Sequence, residues 1–130
     1  PILFAKLKSY DKALFGLPGN PISSSACFRF FVYPYLLNIL EVNAEKPFKA
    51  RLKNDYSKSK KIIRFLKAKL TSTTDGKLEI QVLKGQESFR IKSFVVSNVW
   101  GFFKEGQSNF KKGELIDCYS PIGSNINIFK

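Results

Sequence analysis

Apolar and polar positions along the first 40 residues indicate two short strands followed by a helix. Residues 2–7 alternate weakly and residues 13–15 are apolar, so both stretches are predicted to be strands. Glycine, proline and asparagine are dense at 16–21, which predicts a loop. Apolar residues then recur at helical spacing over 22–40, which predicts a helix. Pro34 is expected to kink this helix or to end its first half.

The chain from residue 48 onward has the pattern of short β-strands. Residues 78–82 alternate with period two, and residues 62–71 mix apolar and basic positions as strands do. The Asp75–Gly76 pair between them is a favoured hairpin turn. Further strands are predicted at 89–92, 94–96, 99–103 and 115–119, with a strand or tail at 122–129. Short strands with frequent turns are typical of a small barrel or sandwich.

A polar segment at residues 42–47 separates these two patterns. The sequence therefore predicts an α+β chain, in which a strand–loop–helix unit is followed by a small all-β, barrel-like domain. Because no apolar run reaches the ~18–20 residues that a membrane span needs, a membrane protein is not expected. The first residues lack the charged region of a signal peptide, and we interpret the sequence as a piece of a larger protein.

The composition adds a strong and uneven positive charge. There are 22 Lys and Arg residues against 10 Asp and Glu residues, a formal net charge of +12. Residues 49–69 contain nine of the basic residues and a single acidic one, Asp55. Such a field attracts polyanions such as nucleic acid, an acidic membrane or a phosphorylated small molecule. The simpler alternative is that the charge only keeps a small domain soluble.

Two residue counts exclude classes of chemistry. The chain has no histidine, which excludes Ser-His-Asp and Cys-His catalysis and any His-ligated metal. Its two cysteines, Cys27 and Cys118, are too few for a zinc site or a disulfide framework. We interpret them as small buried thiols in a reducing compartment.

The loop before the helix is the segment for which chemistry is predicted. Asn20 is a favoured helix N-cap, and Pro21 suits the first helical position. Free N–H groups at the helix start predict an anion site, to which Ser23 could add a hydroxyl donor. Gly19 permits close approach of a ligand or a positive φ, while Pro18 and Pro21 stiffen the turn. An ordinary capped β-to-α connection is the alternative, and the pattern alone favours it.

The segment Phe-Gly-Leu-Pro-Gly-Asn-Pro-Ile-Ser at residues 15–23, followed by a Phe-rich helix, closely resembles the molybdopterin molybdenumtransferases. This is the MoeA family, which includes the E domain of gephyrin. The resemblance continues more loosely through the basic strand at 64–70, the Asp-Gly hairpin and Gly-Gln-Glu-Ser at 85–88. It implies that residues 1–47 are the end of a molybdopterin-binding α/β domain and that residues 48–130 are the C-terminal β domain.

The resemblance implies a cytoplasmic transferase that inserts molybdate into adenylylated molybdopterin, with Mg²⁺, in molybdenum cofactor biosynthesis. It also implies a homodimer whose active site lies between the α/β domain of one subunit and the β domain of the other. The substrate-binding residues that it implies are Pro18, Gly19, Asn20, Pro21, Ser23, Lys67, Ser88 and Ser93. The family tends to have Arg at the position of Lys67, and Lys keeps the charge but not the bidentate fork.

The same resemblance implies that the acidic residues for Mg²⁺ and molybdate lie upstream of this sequence. We therefore expect the chain alone to bind no metal and to be catalytically inert. The apolar face of the predicted helix at 22–40 is expected to lack a cover within the chain and to seek a partner, either a second copy or the missing domain.

A second function class is a small barrel that binds single-stranded nucleic acid. The chain has 13 Phe, 5 Tyr and 1 Trp, and several of them interleave with Lys and Arg, as a stacking platform requires. Aromatic side chains that fill the core are the stronger interpretation, and no RNA-binding signature is present. A third possibility is a docking domain used mainly for protein contacts.

Overall fold

The computed structural model describes residues 2–87 and 90–123. These residues fall into two compact units, one before residue 46 and one from residue 46 onward. No helix in the described part of the chain is both long and apolar enough to cross a membrane.

The first unit begins with a β-hairpin. Strand β1 (Leu3–Leu7) pairs antiparallel with strand β2 (Lys12–Gly16), and a 3-10 turn (Lys8–Tyr10) connects them. Asp11 closes the turn with a left-handed backbone, φ 46°. The two strands predicted in this region are confirmed.

A long helix of three parts follows the hairpin. Helix α1 (Pro21–Cys27) leads into a wide turn (Phe28–Val32), which leads into helix α2 (Tyr33–Ile39). In the wide turn the N–H of Tyr33 donates to the carbonyl of Phe28, five residues earlier, as in a π-helix. Pro34 lies two residues after the end of this turn, as the second residue of α2. Proline has no N–H and so removes one backbone hydrogen bond of the helix. The wider turn just before Pro34 makes room for this missing bond, and the helix continues past it.

Arg29 is a buried charge within the wide turn. Its Nη2 donates to Oε2 of Glu45 at 2.6 Å, and its guanidinium lies over the rings of Phe30 and Tyr33 at 5.3 and 5.4 Å. A buried cation is tolerated when it is paired and hydrogen-bonded. These contacts attach the segment that follows the helix to the helix itself.

The second unit is a closed barrel of five strands in the order β3-β6-β5-β7-β9. The strands are β3 (Phe48–Leu52), β5 (Arg64–Ser72), β6 (Leu78–Val82), β7 (Val99–Phe103) and β9 (Leu115–Tyr119). The pairing of β3 with β6 is parallel, and the other four pairings are antiparallel. A separate two-stranded ribbon joins β4 (Tyr56–Ser57) to β8 (Asn109–Phe110). These two units confirm the predicted α+β class with a small barrel.

The core of the barrel is apolar and tightly filled. Its buried residues are Ala50, Leu52, Leu66, Ala68, Ile80, Val99, Phe103, Phe110, Ile116 and Cys118. Gly101 lies against this core, where an added Cβ would come within 2.9 Å of Ile80 Cδ1 and 3.0 Å of Phe103 Cε2. A side chain at position 101 would therefore overpack the barrel.

The prediction of strands in the region 89–96 is wrong for the described residues. Ile91–Val96 form a short helix, α3, between β6 and β7. The β-branched Val95 and Val96 favour a strand by propensity. The closed barrel leaves no strand edge to pair with, so the segment forms its backbone hydrogen bonds locally as a helix. The strand or tail predicted at 122–129 lies outside the described residues from 124 onward.

Candidate functional site

Asn20 caps the helix that follows the Gly-Leu-Pro-Gly-Asn-Pro loop, as the sequence predicts. Its Oδ1 accepts the N–H groups of Ile22 and Ser23 at 3.1 and 3.2 Å, and its carbonyl accepts the N–H of Ser24 at 2.8 Å. The N–H groups expected to be free for an anion at the helix start are therefore engaged by the protein itself. Pro21, the first residue of α1, has no N–H to offer.

Gly19 leaves the backbone of this loop open to the outside. Its φ is not positive, and a Cβ built on it meets no atom within 4 Å. Neither Gly19 nor Asn20 donates its backbone N–H to any acceptor in the described parts of the chain. Of the two roles considered for Gly19, close approach of a ligand therefore fits the structure and a left-handed turn does not. Pro18 and Ser23 are partly buried beside it.

Lys67 lies in the middle of β5 with its side chain buried, 2% exposed. Its Nζ donates to the carbonyl oxygens of Gly85 and Glu87 at 3.0 and 3.3 Å. Burial lowers the pKa of Lys67, and the charge of Glu87 partly opposes this shift. Direct contact of Lys67 with substrate stays a prediction.

Ser93, in α3, lies close to the same backbone segment. Its Oγ donates to the carbonyl of Gly85 at 2.5 Å and lies 2.8 Å from the carbonyl of Arg90. The structure thus brings Lys67 and Ser93 together at the Gly85 carbonyl. Ser88 lies outside the described residues. The roles of Ser88 and Ser93 toward substrate stay predictions.

Gln86 belongs to this cluster, although it is not among the site residues predicted from the sequence. Its Oε1 accepts the N–H of Lys67 at 2.9 Å, and its Nε2 donates to the carbonyls of Lys67 and Leu83 at 2.8 and 2.7 Å. The side-chain amide therefore binds the backbone of β5 as a neighbouring strand would. A lone glutamine in a polar stretch has no pattern from which this role could be predicted.

The described residues offer no metal centre. Residues 2–87 and 90–123 contain no group of three or more His, Cys, Asp or Glu side chains that could hold a metal ion. Cys27 and Cys118 are both free thiols. Burial raises the pKa of the Cys118 thiol to about 12, so it is not a reactive nucleophile.

Three comparisons relate the chain to known proteins. The family model of the MoeA C-terminal region (domain IV) matches residues 49–120. A molybdopterin molybdenumtransferase of Staphylococcus aureus is 32% identical over 110 residues, which are 82% of this chain and 26% of that protein. Its counterpart in Staphylococcus epidermidis is 30% identical over 108 residues. The chain thus spans about a quarter of the length of these curated relatives.

Solved structures show the same fold. The crystal structure of a molybdopterin biosynthesis MoeA protein from Pyrococcus horikoshii is 26% identical in sequence and superposes with a TM-score of 0.68. The match covers 95% of this chain and 29% of that protein. A molybdenum cofactor biosynthesis protein from Pyrococcus furiosus, 23% identical, has a TM-score of 0.61.

Proposed function

Because this chain belongs to the MoeA C-terminal region (domain IV) family, we propose that it is part of a molybdopterin molybdenumtransferase. In this role the intact protein inserts molybdate into adenylylated molybdopterin during molybdenum cofactor biosynthesis. The observation that carries the proposal is the family match over the β barrel, together with relatives of that name that align over 82% of the chain. The proposal includes a cytoplasmic homodimer, with residues 1–47 as the end of the α/β domain and 48–130 as the β domain.

The loop at residues 18–21 is the part of the chain that we assign to substrate. Asn20 fixes the helix start, and the prolines on either side of Gly19 restrict the backbone. The unengaged N–H groups of Gly19 and Asn20 are donors that an anionic group of the substrate can use. A rigid loop of this kind positions substrate without a conformational cost at the moment of binding. Ser23, next in the helix, belongs to the same proposal.

The β unit supplies the second group of proposed substrate residues, Lys67, Ser88 and Ser93. Lys67 and Ser93 both donate to the carbonyl oxygen of Gly85. This shared contact supports the proposal because it holds the two side chains close together. The proposed site in the homodimer uses the loop of one subunit and the β unit of the other.

Molybdate is a substrate of the proposed reaction, and Mg²⁺ is the ion that the family resemblance implies. Mg²⁺ requires several oxygen ligands in near-octahedral geometry. The described residues contain no acidic cluster that fits it, so no ligand in this chain and no step of the reaction is assigned to Mg²⁺. We propose that the isolated 130 residues are inert, and measurable molybdate insertion by them would contradict this.

The nucleic-acid alternative gains no support. The comparisons relate the chain to MoeA proteins. Phe65 and Phe94, two of the aromatic residues that stand among Lys and Arg in the sequence, are half-buried against Phe102 and Trp100.

The substitution Gly19→Ala in the intact protein tests the role of the loop. The added methyl group meets open space and an ordinary backbone, so we expect a melting temperature that is equal to that of the wild type or slightly higher. If substrate approaches this backbone closely, the methyl group displaces it, and molybdate insertion falls by about tenfold or more. Activity and binding of adenylylated molybdopterin equal to those of the wild type would contradict the assignment.

Gly113→Ala is the matched control. Its Cβ also meets open space, but its φ is +85°. This variant is expected to lose roughly 1 kcal/mol of stability because of backbone strain while it keeps activity per folded molecule.

A further inference from the structure

One end of the barrel brings two chain segments side by side, residues 58–64 and residues 103–108. The N–H of Gly106 donates to the carbonyl of Lys60 at 2.7 Å, and the N–H of Lys58 donates to the carbonyl of Ser108 at 2.9 Å. Arg64 is the register partner of Phe103 across β5 and β7. We call these two segments together the basic end. None of its residues is among those assigned to substrate.

The basic end carries uncompensated positive charge. Its exposed cations are Lys60, Lys61, Arg64 and Lys104, and none of the four has an ion-pair partner among the described residues. The only acidic residue in the two segments is Glu105. Some cations elsewhere in this unit are paired, such as Lys111 with Asp55 at 2.9 Å and Lys53 with Glu79 at 3.9 Å.

Two isoleucines are displayed among these cations. Ile62 and Ile63, between Lys61 and Arg64, are 40% and 49% exposed. Protein interfaces combine an apolar centre with a polar or charged rim, and the two isoleucines among the cations have this arrangement. The surface therefore offers apolar contact and positive charge at the same place.

Lys58 holds this surface rigid. Its Nζ donates to the carbonyls of Ser59, Ile62 and Gln107 at 3.2, 2.8 and 3.0 Å, which uses all three donors of the ammonium group. The same ammonium group lies over the ring of Phe110 at 5.6 Å. The segment is thus fixed before any partner arrives, which lowers the entropic cost of binding.

We propose that the basic end docks an acidic segment of a partner protein, in which carboxylates flank one or two aliphatic side chains. The carboxylates complement Lys60, Lys61, Arg64 and Lys104, and the aliphatic groups cover the two isoleucines. The proposal stands independently of the proposed enzymatic function.

The observations favour this partner over three others. A second copy of the chain would bring a net charge of +12 to a positive surface. Single-stranded nucleic acid stacks on exposed aromatic rings, whereas the displayed apolar residues here are aliphatic. A lipid surface favours apolar side chains that protrude far enough to enter the membrane, whereas Ile62 and Ile63 are more than half covered and their segment is fixed by Lys58.

Fluorescence anisotropy with defined probes on the intact protein tests the proposal. The probe is a labelled peptide, Asp-Glu-Leu-Glu-Asp-Leu-Glu-Glu, and the comparison peptide has glutamine at both leucine positions. We expect saturable binding of the first peptide and about tenfold weaker binding of the second, because it cannot cover the isoleucines. Equal binding of the two peptides would overturn the proposal. So would tighter binding of a labelled oligothymidylate or of phosphatidylserine-containing vesicles.

Paired variants locate the site on the protein. Ile62→Ser with Ile63→Ser, and separately Lys60→Glu with Lys61→Glu, are each expected to weaken binding of the leucine peptide by about tenfold. Lys8→Glu with Lys12→Glu changes the net charge equally at exposed positions of the hairpin in the first unit, and binding is expected to persist. An equal loss in this control would show attraction by net charge alone and overturn the proposal. Melting curves check that each variant is folded.

Discussion

Lys67 is a cation placed where water barely reaches its ammonium group, and its partners are two carbonyl oxygens. Among the described residues no carboxylate lies within ion-pair distance of it. A buried ammonium group with neutral acceptors is disfavoured in its charged form, and this is why burial lowers the pKa of Lys67. The family resemblance distinguishes Lys67 from the other basic residues of 49–69, but the sequence does not show that its side chain is buried.

This burial predicts a measurable pH dependence of stability. The pKa of Lys67 is lower in the folded protein than its ordinary value of 10.5. Between the two values the unfolded chain binds more protons, so the contribution of Lys67 to stability rises with pH and is complete above 10.5. The variant Lys67→Met lacks this contribution. The difference in unfolding free energy, wild type minus variant, is expected to increase from pH 7 to pH 10.5 in urea titrations.

Lys69→Met, at an exposed position of the same strand, is the control for the loss of one positive charge. A difference between wild type and Lys67→Met that stays flat over this pH range would show that the Lys67 amine is not desolvated.

The two cysteines are expected to differ in their reactivity. Cys118 is fully buried and the pKa of its thiol is about 12, so its thiolate is scarce at pH 8. Iodoacetamide at pH 8 should therefore modify the partly exposed Cys27 well before Cys118. Cys118 should react only after denaturant is added, and mass spectrometry of the peptides distinguishes the two sites. Rapid labelling of Cys118 in the native protein would contradict this prediction.

At the scale of elements, β5 is the strand to which other parts of the barrel attach. It pairs with β6 on one side and β7 on the other. Where the pairing with β6 ends, the side-chain amide of Gln86 binds the backbone of Lys67. Where the pairing with β7 ends, the side-chain amide of Asn98 binds the backbone of Leu70 in the same way. Two side chains thus extend the hydrogen bonding of the strand beyond its neighbours.

Gln86→Ala is expected to destabilise the barrel. Three hydrogen bonds of the side chain are lost, and the N–H of Lys67 and the carbonyl of Leu83 lose this partner, while the Lys67 carbonyl keeps the N–H of Leu83. We expect a loss of roughly 1–3 kcal/mol in urea unfolding. Gln86→Glu keeps an acceptor for the Lys67 N–H but no donor, so its loss should be of the same sign. Gln81→Ala, at an exposed position of β6, is the control, and an effect there as large as that of Gln86→Ala would refute the prediction.

The elements that the sequence predicts well are those whose pattern is local. Strand β6 alternates over 78–82 and is found there, and Asn20 and Pro21 mark the helix start. Helix α3 could not be predicted, because its apolar residues resemble a strand and only the closure of the barrel removes the possible pairing partners. In the candidate site, the capping role of Asn20 and the open backbone at Gly19 could be predicted from the residue types alone. The roles of Gln86 and of buried Lys67 depend on contacts between residues about 20 positions apart.

At the scale of the whole molecule, the helix of the first unit displays apolar side chains to the outside. Phe31, Ile39 and Leu40 are exposed, as are Leu3 and Phe4 of β1. For the described residues, these exposures agree with the expectation that the helix has an uncovered apolar face. A surface of this kind seeks a partner, and the proposed intact enzyme offers two, its remaining α/β domain and a second copy.

The isolated 130-residue chain is therefore expected to associate as its concentration rises. Sedimentation velocity should show a rising weight-average mass, and Phe31→Ser with Ile39→Ser should reduce it because both side chains are exposed on the helix. Ile62→Ser with Ile63→Ser, on the second unit, is the control and should leave the association unchanged. A monodisperse monomer at high concentration, with the helix ordered, would contradict the prediction.

The wide turn at residues 28–32 has a consequence for the length of the helix. The buried residues Ile22 and Arg29 are seven positions apart, and a regular helix brings such a pair to within about 20° of the same side. Arg29 and Leu37 are eight apart, which in a regular helix would separate them by about 80°. The wide turn absorbs one residue, so all three lie along one line. A chain that is one residue shorter in this turn, and that also lacks the proline, can therefore bury the same three positions with a regular helix.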